Sequence, residues 1–93
     1  VHQLPHAVRF DDDASADATV LEVTGADSIG LLYRLTRALT DMDIDVRTAK
    51  IPTLGSDVVD TFYVVTSDGG KVTDEDLRAE LRRALLHALE HPG

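Results

Sequence analysis

The sequence predicts a two-layer α+β sandwich, an antiparallel sheet of about four strands with two helices on one face. Three observations predict it. From Thr19 onward the pattern reads strand, helix, strand, strand, helix. Both helical segments carry leucine at helical spacing, so each has one apolar stripe to bury. The two middle strands are joined by Leu54-Gly55-Ser56-Asp57, a hairpin turn with glycine inside it. Helices cannot sit between strands joined by a hairpin, so both must cover one sheet face.

The first six residues are irregular around Pro5, and residues 7–10 form a short candidate strand. Asp11-Asp12-Asp13-Ala14-Ser15-Ala16-Asp17 is polar and small and reads as a hairpin connection. Residues 19–24 alternate, with Thr19, Leu21 and Val23 on one face and Val20, Glu22 and Thr24 on the other. Gly25-Ala26-Asp27-Ser28-Ile29-Gly30 is a tight connection in which Asp27 or Ser28 can cap the next helix. That helix is expected to run to about Met42 on a stripe of Leu32, Leu35, Leu39 and Met42, widened by Leu31 and Ala38. Arg34, Arg37 and Asp41 then face water.

Asp43 starts the turn into the next strand. Ile44 and Val46 set one alternation, and Ala49 and Ile51 set the opposite one, so a bulge or bend lies between them. Pro52 cannot donate to a ladder, which puts this strand at an edge. Residues 58–65 are nearly all β-branched or aromatic, with Asp60 the one charge. Both alternating sets of this strand are apolar, so covering one leaves the other as an exposed patch. Ser67-Asp68-Gly69-Gly70 is a loop. Thr73 is the expected cap of the last helix, with Asp74, Glu75 and Asp76 in its first turn, where the helix dipole favours acids. Leu77, Leu81, Leu85 and Ala88 or Leu89 mark its buried face, and His91-Pro92-Gly93 follow. The strand–helix–strand crossover is expected to be right-handed. The common form of this sandwich has a further strand after the second helix. Residues 7–10 can take that place through the hairpin at 11–16. Residues 1–17 are thus an N-terminal extension with a short strand, and 18–93 the domain proper.

A chain of 93 residues is one domain. With two Phe, two Tyr and no Trp, its core must be aliphatic. Cysteine is absent, which excludes disulfides, thiolate catalysis and Cys-based metal sites and suits a reducing, cytoplasmic setting. No segment approaches the roughly 20 apolar residues of a membrane helix. Val1 in place of Met reads as a piece of a longer or processed chain. The net charge of −8 argues against nucleic acid and anionic membranes as partners, and more simply keeps the domain soluble.

The loop from Gly25 to Gly30 has the spacing G-x-x-x-x-G between a strand and a helix, but Leu31-Leu32 stand where a phosphate loop needs Lys and Ser or Thr. The plainer reading is a connection whose glycines relieve strain, and spacing alone favours it. The functional reading is that Gly30 lets a carboxylate reach the unpaired amides at the helix start, while Asp27 meets an ammonium. The Asp11-Asp12-Asp13 run lacks the alternation, central Gly and distant Glu of a calcium loop and reads as a solvated turn. His87 and His91 share a helix face, but Ala88 replaces the Glu of a zincin; with His2 and His6 they read as structural or incidental. No Gly-x-Ser-x-Gly elbow or acid–base pair stands out. Asp60 and Glu22 could face each other across the sheet, or more simply face solvent or cap a neighbour. An RNA-binding sheet would need stacking aromatics and basic residues; Phe62 and Tyr63 point to opposite faces and the basic residues are missing.

Four segments resemble the ACT domain family: Thr19-Val20-Leu21-Glu22-Val23, Asp27-Ser28-Ile29-Gly30-Leu31-Leu32-Tyr33, Asp45-Val46-Arg47-Thr48-Ala49-Lys50-Ile51, and Val59-Asp60-Thr61-Phe62-Tyr63-Val64. Within that family they are most similar to the C-terminal ACT domains of bacterial enzymes that uridylylate and deuridylylate the signal protein PII. The family pattern has Asp-Arg-Pro-Gly where this chain has Asp27-Ser28-Ile29-Gly30, and it ends in a strand this chain lacks. The resemblance implies a ferredoxin-like sandwich and a regulatory, non-catalytic role without a cofactor or metal. It implies sensing of an amino acid, glutamine first, in a parent chain whose catalytic nucleotidyltransferase and hydrolase domains lie elsewhere. The implied ligand site sets Asp27, Ser28, Ile29, Gly30 and Leu31 of one copy against Ala49, Lys50 and Ile51 of a second ACT domain or a homodimer mate. The other reading is an interaction module that dimerises or docks and binds no small molecule. Uridylylation and adenylylation of PII both stay open.

Overall fold

The computed structural model describes residues 7–25, 29–51 and 58–90. The elements are β1 (Ala7–Asp11), β2 (Thr19–Gly25), α1 (Ile29–Asp41), β3 (Asp45–Lys50), β4 (Val58–Val65) and α2 (Glu75–Glu90). The four strands form one sheet in the order β1-β2-β4-β3, with every neighbouring pair antiparallel. This is the ferredoxin-like α+β sandwich the sequence predicts. β1 occupies the outer place beside β2 that a strand after the second helix would otherwise take. The sequence elements around Pro5, Asp27-Ser28, Pro52, Leu54–Asp57 and Pro92-Gly93, and the histidines His2, His6 and His91, lie outside the described residues.

The register explains the single core. Phe10 pairs with Leu21, and Leu21 with Phe62; Val8 pairs with Val23, and Thr19 with Val64. Directly opposed residues share a sheet face, so these side chains form one layer. Leu31, Leu35 and Leu39 of α1 and Leu81, Leu85, Ala88 and Leu89 of α2 close over that layer, with Val72 and Ile44 completing the cluster. Both helices therefore cover the same face.

Four local expectations are corrected. The buried stripe of α1 is Leu31, Leu35 and Leu39, while Leu32 is 37% exposed. Leu31 and Leu32 are adjacent and equally apolar, so the sequence pattern tolerates a helix turned by one residue, and packing against the sheet selects the i, i+4, i+8 row. Arg34 does not simply face water; it is half-buried beside α2. The cap of α2 is Asp74 in place of Thr73: its Oδ1 accepts the Asp76 amide at 3.0 Å and its carbonyl accepts the Arg78 amide at 3.0 Å. Asp is at least as good a cap as Thr, and the two stand side by side. Asp60 and Glu22 do not face each other, because Asp60 pairs with Val23 and Glu22 with Thr61, on opposite faces. Asp60 is 5% exposed, on the helix side.

The end of α1 is a Schellman motif. Ile44 N donates to Leu39 O at 2.9 Å, and Asp43 N to Thr40 O at 3.0 Å, with Asp43 left-handed at φ 60°. Asp tolerates that conformation better than most residues with a Cβ. The expected bulge in β3 falls at Arg47: Val46 opposes Val64 and Thr48 opposes Tyr63, leaving Arg47 as the extra residue.

The exposed patch expected on the uncovered sheet face is smaller than the sequence implies. Val20 and Val65 lie in the register of that face yet are 2% and 1% exposed. Arg9 and Glu22 form an ion pair across β1 and β2 there, and the Lys50 ammonium lies 5.4 Å from the centre of the Tyr63 ring. Among the β4 hydrophobics whose side chains are described, Val59 alone is substantially exposed.

Candidate functional site

The loop that opens α1 leaves β2 at Gly25, and Gly25 pairs with Val58 at the start of β4. At the far side of β4, Lys50 pairs with Thr61 at the end of β3. The start of α1, the start of β4 and the end of β3 thus lie at the same end of the sheet. β3 is two strand spacings, about 10 Å, from β2. Of the sequence-predicted site residues, Asp27 and Ser28 lie outside the described residues, and Ile29 begins α1.

Gly30 is exposed in the first turn of α1. Among the described residues positive φ is confined to Asp43 and Gly69, so Gly30 is not required by backbone handedness. Its missing side chain matters for space: a Cβ there would lie 2.9 Å from Arg34 Nη1. Leu31 is buried in the core, so it can offer a ligand only its backbone. Ala49 and Lys50 are exposed and Ile51 is half-buried against the core. Ala49 pairs with Phe62 and shares the helix side, while Lys50 belongs to the other face, over Tyr63. Within one copy, then, Ala49 and the start of α1 look onto the same side of the sheet and Lys50 does not.

Asp60 is the residue sequence reasoning misjudged at this end. It lies on the helix side of β4, opposite Val23, two residues inside the mouth of the loop. A carboxyl group buried in that position is costly unless it is engaged. The available signal was its phase: Asp60 alternates with Phe62 and Val64, so burying those two buries it.

Two further depressions lie elsewhere. A groove of about 370 Å³ between the helices is lined by Arg34, Arg37, Ala38, Met42, His87 and Ala88 among others. Arg37 there donates to the Tyr33 hydroxyl at 3.2 Å, and that hydrogen bond, with the fields of Tyr33 and Asp41, holds its guanidinium still more firmly protonated than usual. The second, about 380 Å³, is polar and lined by Asp12, Lys71, Thr73, Glu75 and Arg78. Lys71 Nζ there donates to the carbonyls of Asp12 and Ser15 at 2.9 and 2.8 Å, and Arg78 pairs with Asp12. Asp11 Oδ1 accepts the Asp13 amide at 3.0 Å, so part of the acidic run is spent on its own turn. Among the described residues no three His, Asp or Glu gather as a metal-binding group, and no helix is long and apolar enough to cross a membrane.

The fold and the arrangement at this end define a small α+β sandwich, with the start of its first helix at the same end of the sheet as the tip of an edge strand. The chain belongs to the ACT-like domain family: the family model described as "ACR9-like, ACT-like domain" matches residues 7–92. It is 48% identical over 93 residues to a bifunctional uridylyltransferase/uridylyl-removing enzyme of Azospirillum brasilense, covering all of this chain and 10% of that enzyme. Enzymes of the same description from Caulobacter vibrioides and Pseudomonas entomophila are 46% identical over 84 residues and 36% identical over 86 residues. These cover 90% and 92% of this chain. The chain spans about a tenth of the length of the curated relatives it matches. No solved structure matches it significantly.

Proposed function

We propose that this ACT-like domain senses an amino acid, glutamine first, and regulates the catalytic domains of a cytoplasmic PII-modifying nucleotidyltransferase. The observation that carries the reading is the side-chain-free, exposed Gly30 in the first turn of α1, at the same end of the sheet as the bare tip of β3. Unpaired amides at a helix start attract a carboxylate. Asp27, Ser28, Ile29, Gly30 and Leu31 of one copy then hold the amino acid against Ala49, Lys50 and Ile51 of a homodimer mate or a second ACT domain. The similarity to bifunctional uridylyltransferase/uridylyl-removing enzymes supports a nucleotidyltransferase parent, whether it uridylylates or adenylylates PII. The domain itself takes no cofactor, nucleic acid or membrane in this reading.

Titration calorimetry of the 93-residue chain with glutamine and other amino acids tests it, with heat and a thermal shift expected for glutamine. A second reading, docking without a small molecule, is favoured by Leu32 and Tyr33, 37% and 63% exposed beside the same helix start. No heat and no thermal shift with any amino acid at millimolar concentration would select the docking reading.

A further inference from the structure

Arg34 stands four residues after Gly30 on the same face of α1, and a long helical side chain leans back toward the helix start. Here it leans into the space that Gly30 leaves: Nη1 lies 2.9 Å from where a Cβ on Gly30 would sit, so this end of the guanidinium has to move to admit one. The same guanidinium reaches across to α2, where Nε donates to the Ala88 carbonyl at 3.2 Å. α2 ends at Glu90, so the Ala88 carbonyl is one of the last four that the helix itself leaves without an amide. A cation there also suits the dipole. Among the described residues no carboxylate lies within 4.0 Å of Arg34, and its recorded hold is this one neutral carbonyl.

We infer that Gly30, Arg34 and Ala88 form a linkage by which occupancy at the start of α1 is read out at the last turn of α2. The inference deepens the amino-acid reading and rests on it for the identity of the trigger. A carboxylate at the helix-start amides lies beside Nη1. It offers the guanidinium a full negative charge where Ala88 offers a neutral carbonyl, and so draws Arg34 off Ala88. The last turn of α2 then loses its cap and opens more often. Arg34 is thus a positioning residue, and the space over Gly30 is its switch.

Amide hydrogen exchange on the 93-residue chain, read by NMR, tests the linkage in two arms. In the first, without ligand, Gly30→Ala supplies the Cβ that displaces Arg34, and Arg34→Met removes the guanidinium but keeps the stem. Each is expected to speed exchange of residues 88–90 about fivefold, with the strands unchanged, and the double variant is expected to be no faster than either single one. Additive effects in the double variant, or an unchanged last turn in Gly30→Ala, would overturn the linkage. In the second arm, saturating glutamine is expected to loosen the same turn in the parent chain. In Arg34→Met it changes residues 29–31 and 49–51 and leaves 88–90 as they were. A response at 29–31 of the parent chain without one at 88–90 overturns the readout. Glutamine silent at every amide overturns the trigger instead, and the first arm still decides the linkage.

Discussion

The two edges of the sheet are held in opposite ways. At β1, Phe10 lies under two guanidinium groups, those of Arg78 and Arg82, at 5.0 and 5.2 Å from its ring centre. Arg82 Nε also reaches the Val8 carbonyl at 3.4 Å, and the connection that follows β1 is tied down by Lys71 and Arg78. Further in, Val72 N donates to the buried Thr19 hydroxyl at 2.7 Å. At β3 none of the six residues is buried, the strand is broken by a bulge at Arg47, and its side-chain holds are Val46, half-buried against the core, and Lys50 over Tyr63. Among the described residues, one edge is clamped by side chains of its own chain and the other is exposed. An unpaired edge attracts other strands, and the proposed ligand site uses the edge that carries Ala49 and Lys50.

The largest expected effect is at the clamped edge. Phe10→Ala removes a half-buried ring and two cation–π contacts, and should cost about 2–3 kcal/mol in urea unfolding, below the 3–5 kcal/mol of a fully buried Phe. A loss under about 1 kcal/mol would mean that β1 adds little to the sheet.

A smaller effect sits in the β1–β2 connection. The hydrogen bond from Arg78, aided by its charge and that of Lys71, holds the Asp12 carboxyl below its ordinary value. A depressed folded-state value means that the contribution is present above the ordinary carboxylate range and is lost as pH falls through the depressed value. The parent chain should therefore melt above Asp12→Asn at neutral pH, and the two should converge in acid. A gap that persists in acid would assign the effect to something other than this ion pair.

The smallest effect is expected at the bare edge. Ala49→Thr should change stability by no more than about 0.5 kcal/mol, because the side chain is exposed and the substitution suits a strand. If it costs as much as Phe10→Ala, the two edges are not different in kind.

Much of this contrast was legible in the chain. Residues 7–10 alternate and precede a polar turn, and the phase change between Val46 and Ala49 marks the bulge. The row Leu77, Leu81 and Leu85 marks the buried face of α2. Other features were degenerate. Leu31 and Leu32 both fit a helical stripe, Thr73 and Asp74 are both good caps, and either phase of 58–65 can face a core. Only the pairing of β2 with β4 decides that Phe62, and with it Asp60, turns inward. The bond from Arg34 to Ala88 spans 54 residues and has no local signature at all. Of the site residues that the resemblance implied, Gly30, Ala49 and Lys50 are exposed, Lys50 on the face away from the helices, and Leu31 is withdrawn into the core.

The central claim is that an amino acid uses the start of α1 and the bare β3 edge, and leaves the clamped edge alone. A glutamine titration of the 93-residue chain followed by amide chemical shifts tests it most directly. The account predicts saturable shifts at Gly30, Leu31, Ala49, Lys50 and Ile51, with residues 7–11 unmoved. Shifts at 29–31 without any at 49–51, or a glutamine response centred on β1, would contradict it.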